Sequence, residues 1–111
     1  MEEFDLINTL ESLRRQLNAS IKELAKNGKA LAEAEREYKI LLRQEVLKLR
    51  DEKMAVTLID LIIYGIRSVA DLRLKRDIAK TIYETNQEHI NSVKLQMRLI
   101  ESQISREFGN G

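Results

Sequence analysis

From Leu10 an apolar residue returns every seventh position, at Leu17, Leu24, Leu31 and Tyr38. Such a return keeps one edge of an α-helix against a neighbour, as in a coiled coil. The companion edge is mixed: Leu13, Ile21 and Leu42 lie near it, and Ser20, Asn27 and Ala34 dilute it. Gly28 lowers helix propensity by about 1 kcal/mol relative to alanine, which points to close packing or a slight bend, but neither flank carries a stop signal. The pattern predicts one helix over 3–53. It returns in the second half, with Leu72, Ala79, Asn86, Val93 and Ile100 on one edge and Tyr83, Ile90, Met97 and Ile104 on the other. That half predicts a helix over 69–108, closed by Gly109-Asn110-Gly111.

Between the two lies Met54–Leu72, a largely apolar stretch. Thr57 with Asp60, and Ser68 with Asp71, have the spacing of capping boxes, in which a hydroxyl and a carboxylate satisfy amides at a helix start. Gly65 stands where a left-handed cap would end a short helix, so a valine there should disturb the turn. A short helix over 58–64 is therefore expected between the long ones. The fold class that follows is all-α: a long antiparallel helical hairpin, coiled-coil-like, with a short connecting helix, forming a single domain over 1–111.

With Glu52 facing Val69, partners across the hairpin have numbers summing to about 121 by equal helical rise. Gly28 then meets Val93, Leu24 meets Met97, and the first ten residues overhang. Ile21, Ile40, Leu74, Ile78, Leu95 and Leu99 fall off the shared seam. A homodimer with a four-helix arrangement would bury them. Its seam residues are Leu17, Leu24, Leu31, Tyr38, Asn86, Ile90, Val93, Met97, Ile100 and Ile104. Asn86 reads either as a buried amide that fixes register or as a partly exposed one at a loose point.

Composition agrees with long helices: there is no proline, and two of the four glycines fall in the last three residues. The absence of cysteine removes disulfides and thiolate metal sites. Met1 leads into Glu2, Glu3 and Asp5 rather than a basic and apolar leader, and Asp60 interrupts the longest apolar stretch. A cytoplasmic protein with no membrane partner is expected.

Little catalytic chemistry is offered. His89 is the only histidine, and Glu33, Glu35, Glu37, Glu84 and Glu88 have basic neighbours at helical spacings. No phosphate-binding glycine loop, zinc spacing or nucleophile elbow occurs. The expectation is a non-enzymatic protein without cofactor or metal. Two stretches are candidate partner surfaces. Lys48, Arg50 and Lys53 flank the turn on one side and Arg67, Arg73, Lys75, Arg76 and Lys80 on the other, interleaved with Asp51, Glu52, Asp71 and Asp77. This basic head suits an acidic protein or nucleic-acid phosphates, or is simply a solvated helical end. At the acidic start, Phe4, Leu6, Ile7 and Leu10 form an apolar stripe suited to a partner's groove or to dimer packing.

The segments FDLINTLESLRRQLNASIKEL, LRDEKMAVTLIDLIIYGI and VADLRLKRDIA resemble a group of small helical accessory proteins encoded by phages and prophages of Gram-positive bacteria. That resemblance implies a phage accessory role, in the host cytoplasm, exercised by binding and blocking a host defence or nucleic-acid-processing enzyme. Its alternatives are a DNA-binding factor in phage replication or recombination and a structural coiled-coil component of a phage assembly.

Overall fold

A computed structural model describes residues 2–109. The chain is all-α: α1 spans Glu3–Asp51, α2 spans Val56–Ile62 and runs into a 3-10 turn at Ile63–Gly65, and α3 spans Arg67–Phe108. No strand occurs among the described residues. Among them, too, no helix is long and apolar enough to cross a membrane. The long helices keep their expected identity, with α1 ending two residues early and α3 starting two residues early. Asn110 and Gly111 of the expected terminal cap lie outside the described residues.

Contacts gather the chain into two compact units. The first joins α1 as far as Lys26 with α3 from Glu84 onward, and the second holds Asn27–Tyr83.

In the first unit Leu6, Leu13 and Ser20 of α1 and Ile90 and Val93 of α3 are buried. Leu10, Leu17, Leu24, Asn86, Met97, Ile100 and Ile104 are half-buried beside them. Alternating spacings of three and four residues thus make one continuous seam on each helix. The edge that looks diluted in sequence is the more deeply buried on α1, because a small residue lets the facing helix approach. Ser20 is a case in point. Its hydroxyl is satisfied by the Asn86 side chain, whose Nδ2 donates to Ser20 Oγ at 2.8 Å and to the Ser20 carbonyl at 3.1 Å. Asn86 is therefore a paired amide within the seam.

The expected overhang is not found. Leu6 is fully buried and Leu10 half-buried, whereas Phe4 and Ile7 are 73% and 43% exposed. The apolar stripe at the start of the chain is split, two residues facing inward and two facing water.

The second unit is built on Tyr38, Leu49, Ile59, Ile63 and Val69, with Leu42, Val46, Met54, Ile66 and Leu72 packed around them. Here α2 and the 3-10 turn fold back over the last turns of α1. Gly28 passes through α1 without interrupting it, and a Cβ there would stand 3.4 Å from the Tyr83 ring. The glycine serves close packing. Lys75 meets Glu37 at 3.1 Å and Arg76 meets Glu35 at 3.8 Å. These partners sum to about 111, not 121, a shift of nearly three helical turns. Gly28 faces Tyr83 rather than Val93. The cause is that α1 runs past the start of α3, and its projecting end is covered by α2 instead of by α3.

The caps also differ from expectation. Lys53 takes a left-handed φ of 62°. Its amide donates to the Arg50 carbonyl at 2.9 Å, and the Met54 amide to the Leu49 carbonyl at 3.2 Å. This is a Schellman cap, complete with the apolar contact of Met54 against the cluster that holds Leu49. The chain then extends for one residue, Ala55 (φ −63°, ψ 140°), and α2 begins at Val56 without a side-chain cap. Ile66 (φ −67°, ψ 128°) plays the same part before α3. Thr57 and Ser68 fall inside first turns, so neither expected capping box forms. Gly65 is not left-handed, and a side chain there meets nothing within 4 Å.

Two substitutions follow from these caps. Lys53→Gly should raise stability by about 1 kcal/mol by removing the left-handed penalty. Gly65→Ala should raise it by about 0.4–1 kcal/mol by restricting the unfolded chain. Urea unfolding followed by circular dichroism measures both, and a loss of stability in either variant would contradict the cap assignment at that site.

Candidate functional site

The basic head divides once the side chains are placed. Arg76 occupies a seam position and is largely enclosed, with its side chain 22% exposed. Its guanidinium lies over the Tyr38 ring at 4.7 Å from the centroid and bonds Asp77 at 2.9 Å as well as reaching Glu35. Lys75 is spent on Glu37. Arg73 lies over the Tyr64 ring at 4.9 Å from the centroid, and Lys80 also has a partner in the fold. These four residues all have partners within the protein, and Arg76 alone is enclosed. Lys48 and Arg50 end α1, where cations complement the negative end of the helix dipole. Lys53 is the exposed cap residue. Arg67 opens α3, at the end where the dipole disfavours a cation, and gains nothing in the fold to offset it.

A more continuous basic surface lies elsewhere. Lys29, Arg36, Arg43 and Arg50 recur every seven residues along α1, and all are exposed. Arg36 stands two residues from both Ala34 and Tyr38, which are buried, so it points away from the seam. Lys39 joins the row, three residues after Arg36 and four before Arg43. On the same helix Glu35 and Glu37 reach across to Arg76 and Lys75, while Glu35 also lies 3.9 Å from Lys39 and Glu33 lies 4.0 Å from Lys29. Sequence reasoning that gathers cations by nearness to the turn misses this row. The seven-residue return that marks the apolar seam would have found it.

A third surface is apolar. On α3, Ile78 and Ile82 lie three and seven residues beyond Lys75, whereas on α1 Ile40 and Leu47 stand at three- and four-residue spacings from Arg36, Arg43 and Arg50, among the basic row. All four are between 47% and 52% exposed. Leu74, 59% exposed, adjoins Ile78 one turn away. The short helix α2 turns Ile59 inward but leaves Leu58 and Ile62 exposed and Leu61 81% exposed. Single exposed apolar residues are ordinary on a protein surface; a contiguous set marks an interaction site.

In the first unit, Ile21, Leu95 and Leu99 are exposed off-seam residues, as expected, at 47–60%. A groove of about 360 Å³ there is lined by Leu24, Gln87, Glu88, Ile90, Asn91 and Lys94. His89 is exposed on α3.

Comparison with protein-family models, with curated proteins and with solved structures finds no match to the chain.

The contrast between Arg76 and Lys75 is measurable. Arg76→Ala should lower stability by about 1–2 kcal/mol, since it removes a partly desolvated cation–π contact and two ion pairs. Lys75→Ala, breaking an exposed bridge, should change it by less than about 0.5 kcal/mol. Equal losses in the two variants would mean that Arg76 is not the enclosed residue.

Proposed function

We propose that this protein is a non-enzymatic helical binding module that docks on another protein through the apolar side of its second unit. The observation that supports this is the exposure of Leu74, Ile78 and Ile82 at successive four-residue spacings along α3, which the pairing of α1 with α3 leaves uncovered. The charged neighbours of that side at helical spacing are Asp71, Asp77 and Lys75, and Lys75 is bridged to Glu37. A second copy docked there by a two-fold axis would bring like charges together. A different protein, apolar at its centre and basic at its edge, fits better.

Basic surfaces of that kind belong to proteins that handle nucleic acid, which agrees with the accessory role implied by the phage resemblance. The protein would act by occupying a surface on such an enzyme and so blocking it.

A photo-reactive residue placed at Ile78 should crosslink to one protein in a lysate of the source or host cell, and one placed at Leu95 should not. The double variant Ile78→Ser/Ile82→Ser should lose that protein in a pull-down while keeping its helicity. If the crosslinked species is a second copy of the chain, or if the double variant retains its partner, the proposed docking side is wrong.

A further inference from the structure

The basic row on α1 is separate from the apolar docking side and calls for a ligand of its own. We propose that Lys29, Arg36, Lys39, Arg43 and Arg50 form a binding surface for the phosphates of duplex nucleic acid.

Three features carry this. First, the arginines are uncommitted: among the described residues, Arg36, Arg43 and Arg50 make no ion pair, while Lys29 and Lys39 have only loose ones, at 4.0 Å to Glu33 and 3.9 Å to Glu35. At the three- and four-residue spacings that make helix neighbours, Glu33 and Glu35 are the carboxylates near the row, and Arg43 and Arg50 have none.

Second, the geometry is regular. Seven residues advance about 10.5 Å along a helix, so Lys29 to Arg50 span about 31 Å, close to one turn of a B-form duplex. That seven-residue spacing is also about one Debye length at moderate salt, so Lys29, Arg36, Arg43 and Arg50 repel each other little, and Lys39 alone crowds its neighbours.

Third, the chemistry of the row discriminates among polyanions. Guanidinium groups dominate it, and these match phosphate oxygens in paired hydrogen bonds. A single strand is bound by stacking bases on aromatic rings, and no aromatic residue shares this face: Tyr38 is buried, and Tyr64 is under Arg73. A membrane surface needs a broad apolar stripe between its cations. The large exposed apolar residues among the row are Ile40 and Leu47, each standing singly between two arginines, which is no broad stripe. The phosphate backbone of a duplex is the ligand that uses the charges and asks for nothing else.

The experiment is fluorescence anisotropy of a labelled 20-base-pair DNA duplex titrated with the full chain at several salt concentrations. Three to five phosphate contacts predict a fall in affinity of about 40- to 500-fold between 50 and 200 mM salt. Arg36→Gln/Arg43→Gln/Arg50→Gln should weaken binding at least about tenfold at 50 mM salt and flatten the salt dependence, with helicity unchanged. The control Lys94→Gln/Arg98→Gln/Arg106→Gln removes the same number of charges from the first unit and should bind like the parent.

Equal losses in the two triple variants would overturn the site. So would no binding at 50 mM salt, tighter binding of an oligothymidine 20-mer than of the duplex, or competition by polyglutamate as effective as unlabelled duplex. Because the row and the apolar side share no residue, the Ile78→Ser/Ile82→Ser variant should bind the duplex normally. Failure of the protein-docking proposal would leave this result intact.

Discussion

Tyr38 and Leu49 sit on the last turns of α1, and the second unit depends on how they are covered. The segment between the long helices does it, laying Ile59 and Ile63 over them beside Val69. Burying a side chain of that size stabilises by about 1.5–3 kcal/mol. Holding Lys53 in a left-handed conformation costs about 1–2 kcal/mol. Several such burials outweigh one strained residue, so the chain accepts the lysine cap and reverses direction where the apolar surface requires it. The register of α1 against α3 in this unit is a consequence, because α3 can begin only after α2 has crossed the end of α1.

Once that register is set, charge sorts itself around the helix pair. Glu35 and Glu37 come within reach of Arg76 and Lys75, so these two carboxylates flank the seam, and Arg36 and Arg43 are left on the outer face without an ion pair among the described residues. A count of charges along the sequence shows near balance, with nineteen basic and eighteen acidic residues. Balance in the sum conceals separation in space, and separation is what a charged ligand senses.

The seam itself was legible in the sequence because a seven-residue return is a property of one helix and needs no knowledge of its partner. Leu13, Ala34, Val93 and Ile90 follow from it directly. The turn was not legible by the same means. Thr57 and Ser68 have the right neighbours for capping, but a hydroxyl caps only where the backbone is extended, and tertiary packing put the extended residues at Ala55 and Ile66. Gly65 suggested a left-handed turn, yet the residue driven into that region was Lys53, which no propensity would select. The basic head was legible as composition and misleading as a site, since Arg76 and Lys75 lie on the inner edges of their helix.

A two-helix unit has more surface than its own pairing can cover. Two sides of the second unit remain after the seam and the ion pairs are formed, and they differ in kind. One, on α3, carries Leu74, Ile78 and Ile82 with a sparse acidic rim; the other, on α1, carries a row of cations with Ile40 and Leu47 set between them. Neither arrangement is needed to hold the helices together: the apolar residues gain nothing where they stand, and Arg36 and Arg43 have no partner among the described residues. Stability alone would be served by mixing these residues, placing carboxylates beside the arginines and polar groups at Ile78. Their placement is a feature that packing leaves unexplained and that two separate ligands would explain.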